Sequence, residues 1–149
     1  MSVELHIANA LRLAHEDLEA AEMLAAKGNR NDAYHAQQAA EKILLALLIS
    51  ENIKAERKDS HRLDVLRDLL PDANTFKGRF SPLTFLTAYA TTYRYPKDAG
   101  RLPAKAEKDD LDPAMEALRD ILTDVAAHFG VTLTDSDRVP AVSSAAPRV

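Results

Sequence analysis

Apolar residues recur at helical spacing through most of the chain. Ile7, Leu11, Ala14, Leu18, Ala21 and Ala25 share one face of a helix predicted from about Val3 to Lys27. Ser2 is its candidate N-cap, and Gly28-Asn29 is a good stop. Glu16, Asp17, Glu19 and Glu22 lie mostly off that stripe and read as a solvated acidic face. The short connection KGNRND turns the chain into a second helix, from about Arg30 to Ile53, so the first two helices form an antiparallel hairpin.

The second helix changes character halfway. Ile43 to Ile49 is an unbroken apolar run, as suits a central helix. The half before it carries His35, Gln37, Gln38, Glu41 and Lys42. At about 100° per residue, Ala36, Ala40, Ile43 and Leu47 share one face, while the polar groups fall on two sides. They either cap neighbouring helices and meet solvent, or line a groove or a subunit interface.

A break follows at KAERKDS. A short third helix is predicted from about His61 to Leu70, with Ser60 as candidate N-cap and Pro71 as stop. A loop leads to a fourth helix over about Pro82 to Arg94, which Pro96 ends. Residues 96–111 read as a mobile charged loop. A fifth helix is capped by Asp112, carries Pro113 in its first turn and ends near Gly130. Its apolar positions are Met115, Leu118, Leu122, Val125 and Phe129. No strand is predicted. The pattern gives an all-α, up-and-down helical bundle of four to five helices over residues 1–131. Residues 132–149, small, polar and Pro-containing, read as a flexible C-terminal tail.

Composition narrows the chemistry. The 149 residues carry a net charge of −4, so no global positive field draws nucleic acid, although a local basic patch remains open. The chain has no Cys, which removes disulfides, thiolate metal sites and a Cys nucleophile. The five His show no mutual spacing that suggests a metal site, and no cofactor is expected. The apolar run is too short for a membrane helix, so a cytoplasmic protein without a membrane span is expected.

Tyr89 and Tyr93 stand four apart and share a helix face, and Arg94, Tyr95 and Pro96 follow. A guanidinium beside phenol rings can hold a phosphate while a base stacks on the aromatic face. It can equally offset the orphan carbonyls of a helix C-terminus, with Glu41 as a candidate partner for Arg94. His61 has a bland account, a structural hydrogen bond, beside a role in the same site.

The segments HAQQAAEKILLALL, SHRLDVL and YATTYRYP, in this order and spacing, resemble the HEPN family (higher eukaryotes and prokaryotes nucleotide-binding domains). The residues that carry the resemblance are Gln38, Ala39, Ala40, Glu41 and Lys42; His61, Leu63 and Leu66; and Tyr89, Arg94, Tyr95 and Pro96. Relatives often have a second Lys where this chain has Leu45. The resemblance implies a bundle that dimerises, binds nucleotide or RNA, and pairs with a minimal nucleotidyltransferase in a toxin–antitoxin-like system. This chain lacks the Gly-Ser and Asp-x-Asp pattern of that transferase; the Asp135-Ser136-Asp137 triplet lies in the tail without the Gly-Ser.

Many relatives are metal-independent ribonucleases that use an Arg followed, four to six residues later, by a His. Arg30 and His35 fit that spacing, with His as general acid or base and Arg holding the phosphate. In those relatives the motif lies on a later helix, whereas here it opens the second. A five-residue offset also turns the two residues about 140° apart. The readings carried forward are a nucleotide- or RNA-binding module with Gln38, Glu41, Lys42, His61, Tyr89, Tyr93, Arg94 and Tyr95 in its site or interface, a ribonuclease toxin acting as a dimer through Arg30 and His35, and a non-catalytic dimerising scaffold.

Overall fold

A computed structural model describes residues 2–135, 137–140 and 144–149. Met1, Ser136 and residues 141–143 fall outside it, so the Asp-Ser-Asp triplet is described only at its two aspartates. The architecture is all-α, with no strand among the described residues. Helix α1 spans Val3–Ala26, α2 Asn31–Ser50, α3 Leu63–Leu69 and α4 Lys108–Phe129. Between α3 and α4 a 3₁₀-wound segment runs over Lys77–Ala90.

Helix α2 is the centre. It packs against α1, α3, α4 and the 3₁₀ segment. Its first half buries Ala33, Ala36, Ala39 and Ala40, and α1 answers with Ala8, Ala10, Ala14 and Ala21. Small side chains on both sides let the two backbones of the hairpin approach closely. Further along, Ile43, Leu44, Leu47 and Leu48 meet Phe80, Leu83 and Leu86 of the 3₁₀ segment and Leu118, Leu122 and Val125 of α4 in one core. Each such side chain, fully buried, contributes about 1.5–3 kcal/mol.

The helix ends show why these boundaries arise. Ser2 caps α1 as predicted, its hydroxyl accepting from Leu5 N at 3.1 Å. At the other end Gly28 takes φ 68°, and Asn29 N donates to Leu24 O at 2.9 Å. This is a Schellman closure. Helix α2 stops three residues before the expected Ile53 by the same device, with Asn52 at φ 56° and Ile53 N donating to Leu48 O at 2.9 Å. Asn tolerates the left-handed conformation better than other non-glycine residues, so the chain turns there.

Three expectations are corrected. The segment predicted as an α-helix over Pro82–Arg94 begins at Lys77, ends at Ala90 and is wound more tightly. Phe80, Leu83 and Leu86 are buried, with half-buried Tyr89 next in the series. A period of three suits a 3₁₀ helix, whose i and i+3 side chains eclipse. Arg94, Tyr95 and Pro96 therefore stand beyond that helix, not at its end. Helix α3 starts at Leu63, and Ser60 does not cap it; Thr87 Oγ1 accepts from Leu63 N instead, at 3.1 Å. Helix α4 begins at Lys108, so Asp112 and Pro113 lie inside it and part of the predicted charged loop is helical. Pro113 cannot donate to Asp109 O, the second residue of the helix, and its ring crowds that carbonyl, a cost confined to the first two turns of α4.

The described part of the C-terminal segment lies along the bundle. His128 Nε2 is 2.8 Å from Ala145 O, and Val149 N donates to Ala73 O at 3.0 Å. Arg148 forks onto Glu51, with 2.6 Å from Nη1 to Oε2 and 2.6 Å from Nη2 to Oε1, and Asn74 Nδ2 donates to the same carboxylate at 2.7 Å. The Glu51 side chain is only 4% exposed. Arg12, buried on α1, donates to the carbonyls of Thr132 and Arg138, at 3.1 Å in each case.

Two outcomes follow. Leu47→Ala opens a cavity at the centre of α2 and lowers unfolding stability by about 2–5 kcal/mol in chemical denaturation. The hydrogen bonds from Arg148, and then from Asn74, hold the Glu51 carboxyl below its usual range against the opposing effect of burial. A lowered carboxyl favours the docked state above its unfolded-state pKa, and that contribution is lost as pH falls through the folded-state value. Amide resonances of Arg148 and Val149 should keep their docked shifts at neutral pH and lose them on acidification below the ordinary carboxylate range. In Glu51→Gln they should be displaced already at neutral pH.

Candidate functional site

The polar half of α2 is tied into one chain of contacts running from α1 to the start of α3. His35 Nδ1 lies 2.9 Å from Asp17 Oδ1 on α1. The other oxygen of Asp17 receives Lys42 Nζ. Lys42 also reaches Gln38 Oε1 at 3.4 Å. Gln38 Nε2 donates to Gln37 Oε1 at 2.7 Å and to Glu41 Oε2 at 3.2 Å. Gln37 Nε2 donates to the same Glu41 oxygen at 3.1 Å and to His61 O at 3.3 Å. His61 Nδ1 closes the chain, 3.1 Å from Glu41 Oε2.

Gln37 is 0% exposed, so its amide cannot reach water and must be satisfied inside. Asp17 is 15% exposed on its side chain. The sequence pattern places Asp17 on a solvated acidic face and leaves Gln37 outside the site residues, whereas in the structure both belong to the polar chain. A signal for Asp17 was present: it projects about 20° from Ala10 and about 40° from Ala21 around α1, at the margin of the buried arc.

The tyrosines and Arg94 form a second feature, beside the start of α2. Tyr89 and Tyr93 stack with ring centroids 5.7 Å apart and planes 21° from parallel. Tyr93 donates its hydroxyl to Ala104 O at 2.9 Å. Asn31, Tyr34, Ala90, Tyr93 and Arg94 line a cleft of about 170 Å³. Tyr34 also meets the His35 ring edge-on at 5.1 Å. Tyr95 projects outward, 79% exposed, and does not line the cleft. Glu41 is not the partner of Arg94: its carboxylate takes Gln37, Gln38 and His61, whereas Arg94 stands by Asn31 and Tyr34.

Charge near the tyrosines is uneven. Burial, and then the carboxylates of Asp110, Glu107 and Asp32, push the Tyr89 hydroxyl pKa up. Burial, reinforced by Asp112, raises the Asp32 carboxyl. Acids from both α2 (Asp32) and the start of α4 (Glu107, Asp110) therefore surround the tyrosine pair, and the nearby cations are Arg94, which lines the cleft, and Arg30. Arg30 donates to Pro103 O, which ties the loop before α4 to the start of α2. His35 is held through Nδ1 by Asp17, an arrangement that fixes the ring's orientation. Among the described residues no group of three His, Asp or Glu side chains could hold a metal ion.

The model of the HEPN domain matches residues 7–128. The chain belongs to the HEPN domain family. The crystal structure of ST0689, an archaeal HEPN homologue, is similar to it with a TM-score of 0.60 and 24% identity, over 83% of this chain and 97% of that one. At that identity the likeness shows the fold. No curated protein matches the chain. Among the described residues of this HEPN domain, no helix is long and apolar enough to cross a membrane.

The polar chain makes one measurement direct. Asp17→Ala leaves Lys42 and His35 without their shared carboxylate and should lower stability by about 1–3 kcal/mol. Glu16→Ala, one residue away on the exposed face, should change it by less than about 0.5 kcal/mol. Equal effects of the two substitutions in thermal denaturation would remove Asp17 from the network.

Proposed function

We propose that this HEPN domain binds a nucleotide or a short single-stranded RNA segment at the cleft beside the start of α2. The observation that carries the reading is the convergence of Tyr34, Tyr93 and Arg94 on one cleft. A nucleobase lies against the tyrosine faces and a phosphate meets the Arg94 guanidinium. The acids around the tyrosines, Asp32, Glu107 and Asp110, leave Arg94 as the cation that lines the cleft, so the phosphate meets Arg94 and the base lies toward the tyrosines. Gln38, Glu41, Lys42 and His61 hold α1, α2 and the start of α3 in register, and Tyr89 stacks on Tyr93. The domain acts as a homodimer and as the helical partner of a minimal nucleotidyltransferase, a reading that rests on the family alone.

A second reading is favoured by one feature, the Asp17–His35 pair. An imidazole oriented by a carboxylate is what a general base in metal-independent RNA cleavage needs. Arg30, bonded to Pro103 O, would have to leave that carbonyl to hold a scissile phosphate.

Calorimetry with ATP and with a short single-stranded RNA separates these. The binding reading expects Arg94→Ala to weaken affinity by about tenfold or more, as for a hydrogen bond to a charged group. Tyr93→Ala should cost about 1–3 kcal/mol through lost stacking, and Tyr93→Phe much less. Unchanged affinity in Arg94→Ala and Tyr93→Ala would refute the cleft. Cleavage of RNA in EDTA that His35→Ala abolishes would instead establish the ribonuclease reading. Copurification with a nucleotidyltransferase encoded beside it tests the partnership.

A further inference from the structure

A larger cavity lies at the opposite end of α2. It measures about 420 Å³, within the range of small-molecule sites. Leu45, Leu48 and Ile49 of α2 line it, spaced three and four residues apart on one helical face. Leu66 of α3 and Ile53 and Ala55 of the following loop complete the walls. The left-handed turn at Asn52 creates the groove, because it folds residues 53–57 back beside the helix.

The walls contain no aromatic side chain. A nucleobase would find nothing to stack on, so the groove suits an aliphatic ligand and is distinct from the tyrosine cleft. The rim carries Glu41, Lys42, Lys54, Glu56 and Arg57. Both carboxylates already have partners: Glu41 accepts from Gln37, Gln38 and His61, and Glu56 pairs with Lys58 at 3.4 Å. Lys42 is held by Asp17. Lys54 and Arg57 form no ion pair and no side-chain hydrogen bond among the described residues. Glu41 keeps its negative charge, because its partners are two neutral amides and a histidine, so the three cations and two carboxylates of the rim leave the mouth of an aliphatic groove with a net charge of +1, and Lys54 and Arg57 are the cations free to meet a ligand.

We infer that this groove binds a small amphipathic anion, with its aliphatic chain along Leu45, Leu48, Ile49 and Leu66 and its carboxylate or phosphate head between Lys54 and Arg57. The apolar chain supplies affinity by leaving water, and the two cations select the head group.

The full chain is titrated, below micelle formation, with decanoate, decyl phosphate, decanol and decyltrimethylammonium, followed by calorimetry and by the amide resonances of residues 45–57. The expected result is saturable binding of decanoate and decyl phosphate, with decanol at least about tenfold weaker and the ammonium compound not binding. A stronger response to decyl phosphate than to decanoate assigns the head to the phosphate class, and the reverse order to the carboxylate class. Lys54→Ala with Arg57→Ala, both on the surface, should reduce the anions to the level of decanol. Ile49→Trp should fill the groove and abolish all binding. Decanol binding as tightly as decanoate overturns the inference, as does binding of none of the four. If none binds and Leu45→Lys removes a concentration-dependent self-association, the groove belongs to a second copy of the chain. ATP and RNA should compete with none of these probes, so failure here leaves the tyrosine cleft standing, and failure there leaves this groove standing.

Discussion

The structure depends on one constraint: α2 is enclosed by four neighbours, yet its first half carries amides, a carboxylate and cations. A buried amide such as Gln37 must find partners inside or lose about 1–3 kcal/mol for each unmet group. The solution is a continuous relay from Asp17 on α1, through Lys42, Gln38, Gln37 and Glu41, to His61 before α3. Each link joins a different pair of elements or steadies one that does. Apolar packing alone would allow α1 to slide along an alanine-rich face, because small side chains give few interlocking contacts. Asp17, which meets both His35 and Lys42, pins that register.

Helices α1 and α2 and the body of α4 were legible because their apolar residues repeat at close to 3.6 and their starts or stops carry residues with a clear local role. Ser2, Gly28 and Gly130 all act as their types suggest. The end of α2 was harder to see, since Asn52 followed by the apolar Ile53 looks like more helix. Only the left-handed φ at Asn52 shows that Ile53 is folded back. The 3₁₀ segment is hidden in the sequence for a related reason. Phe80, Leu83, Leu86 and Tyr89 repeat every three residues, but an α-helical stripe also uses that step, and a 3₁₀ run of this length is uncommon. The start of α4 was hidden behind a proline that ordinarily marks a first turn.

The polar site was half legible. His35, Gln38, Glu41 and Lys42 stand out because charged and amide groups beside an apolar run need an explanation, and His61 because it opens the third helix within reach of the second; in the structure they meet. Asp17 escaped because local sequence shows three other acids near it, and the difference among the four is purely angular: Glu16 points to solvent, whereas Asp17 faces α2. Gln37 counts among the polar groups of α2 but stays outside the site residues for the opposite reason. It falls within the apolar arc of α2, and nothing in the sequence says that the carbonyl of His61 comes within reach of it.

The two ends of α2 present opposite chemistries, and this follows from the same constraint. Where the helix begins, small alanines bring α1 close and leave room on the outer side for the rings of Tyr34, Tyr89 and Tyr93. Where it ends, Leu45 and Ile49 widen the helix, and the reversed loop cannot cover them fully. In a chain with net charge −4, a polyanion gains nothing from the overall field. Any phosphate must therefore be won by local geometry, and carboxylates from α2 and α4 surround the tyrosines. That arrangement disfavours a long strand laid across the bundle, because successive phosphates would approach Asp32, Glu107 and Asp110. It favours a short ligand centred on Arg94, so the ionic-strength dependence of binding should correspond to about one or two phosphate contacts, far from the steep slopes of proteins that track a nucleic-acid backbone.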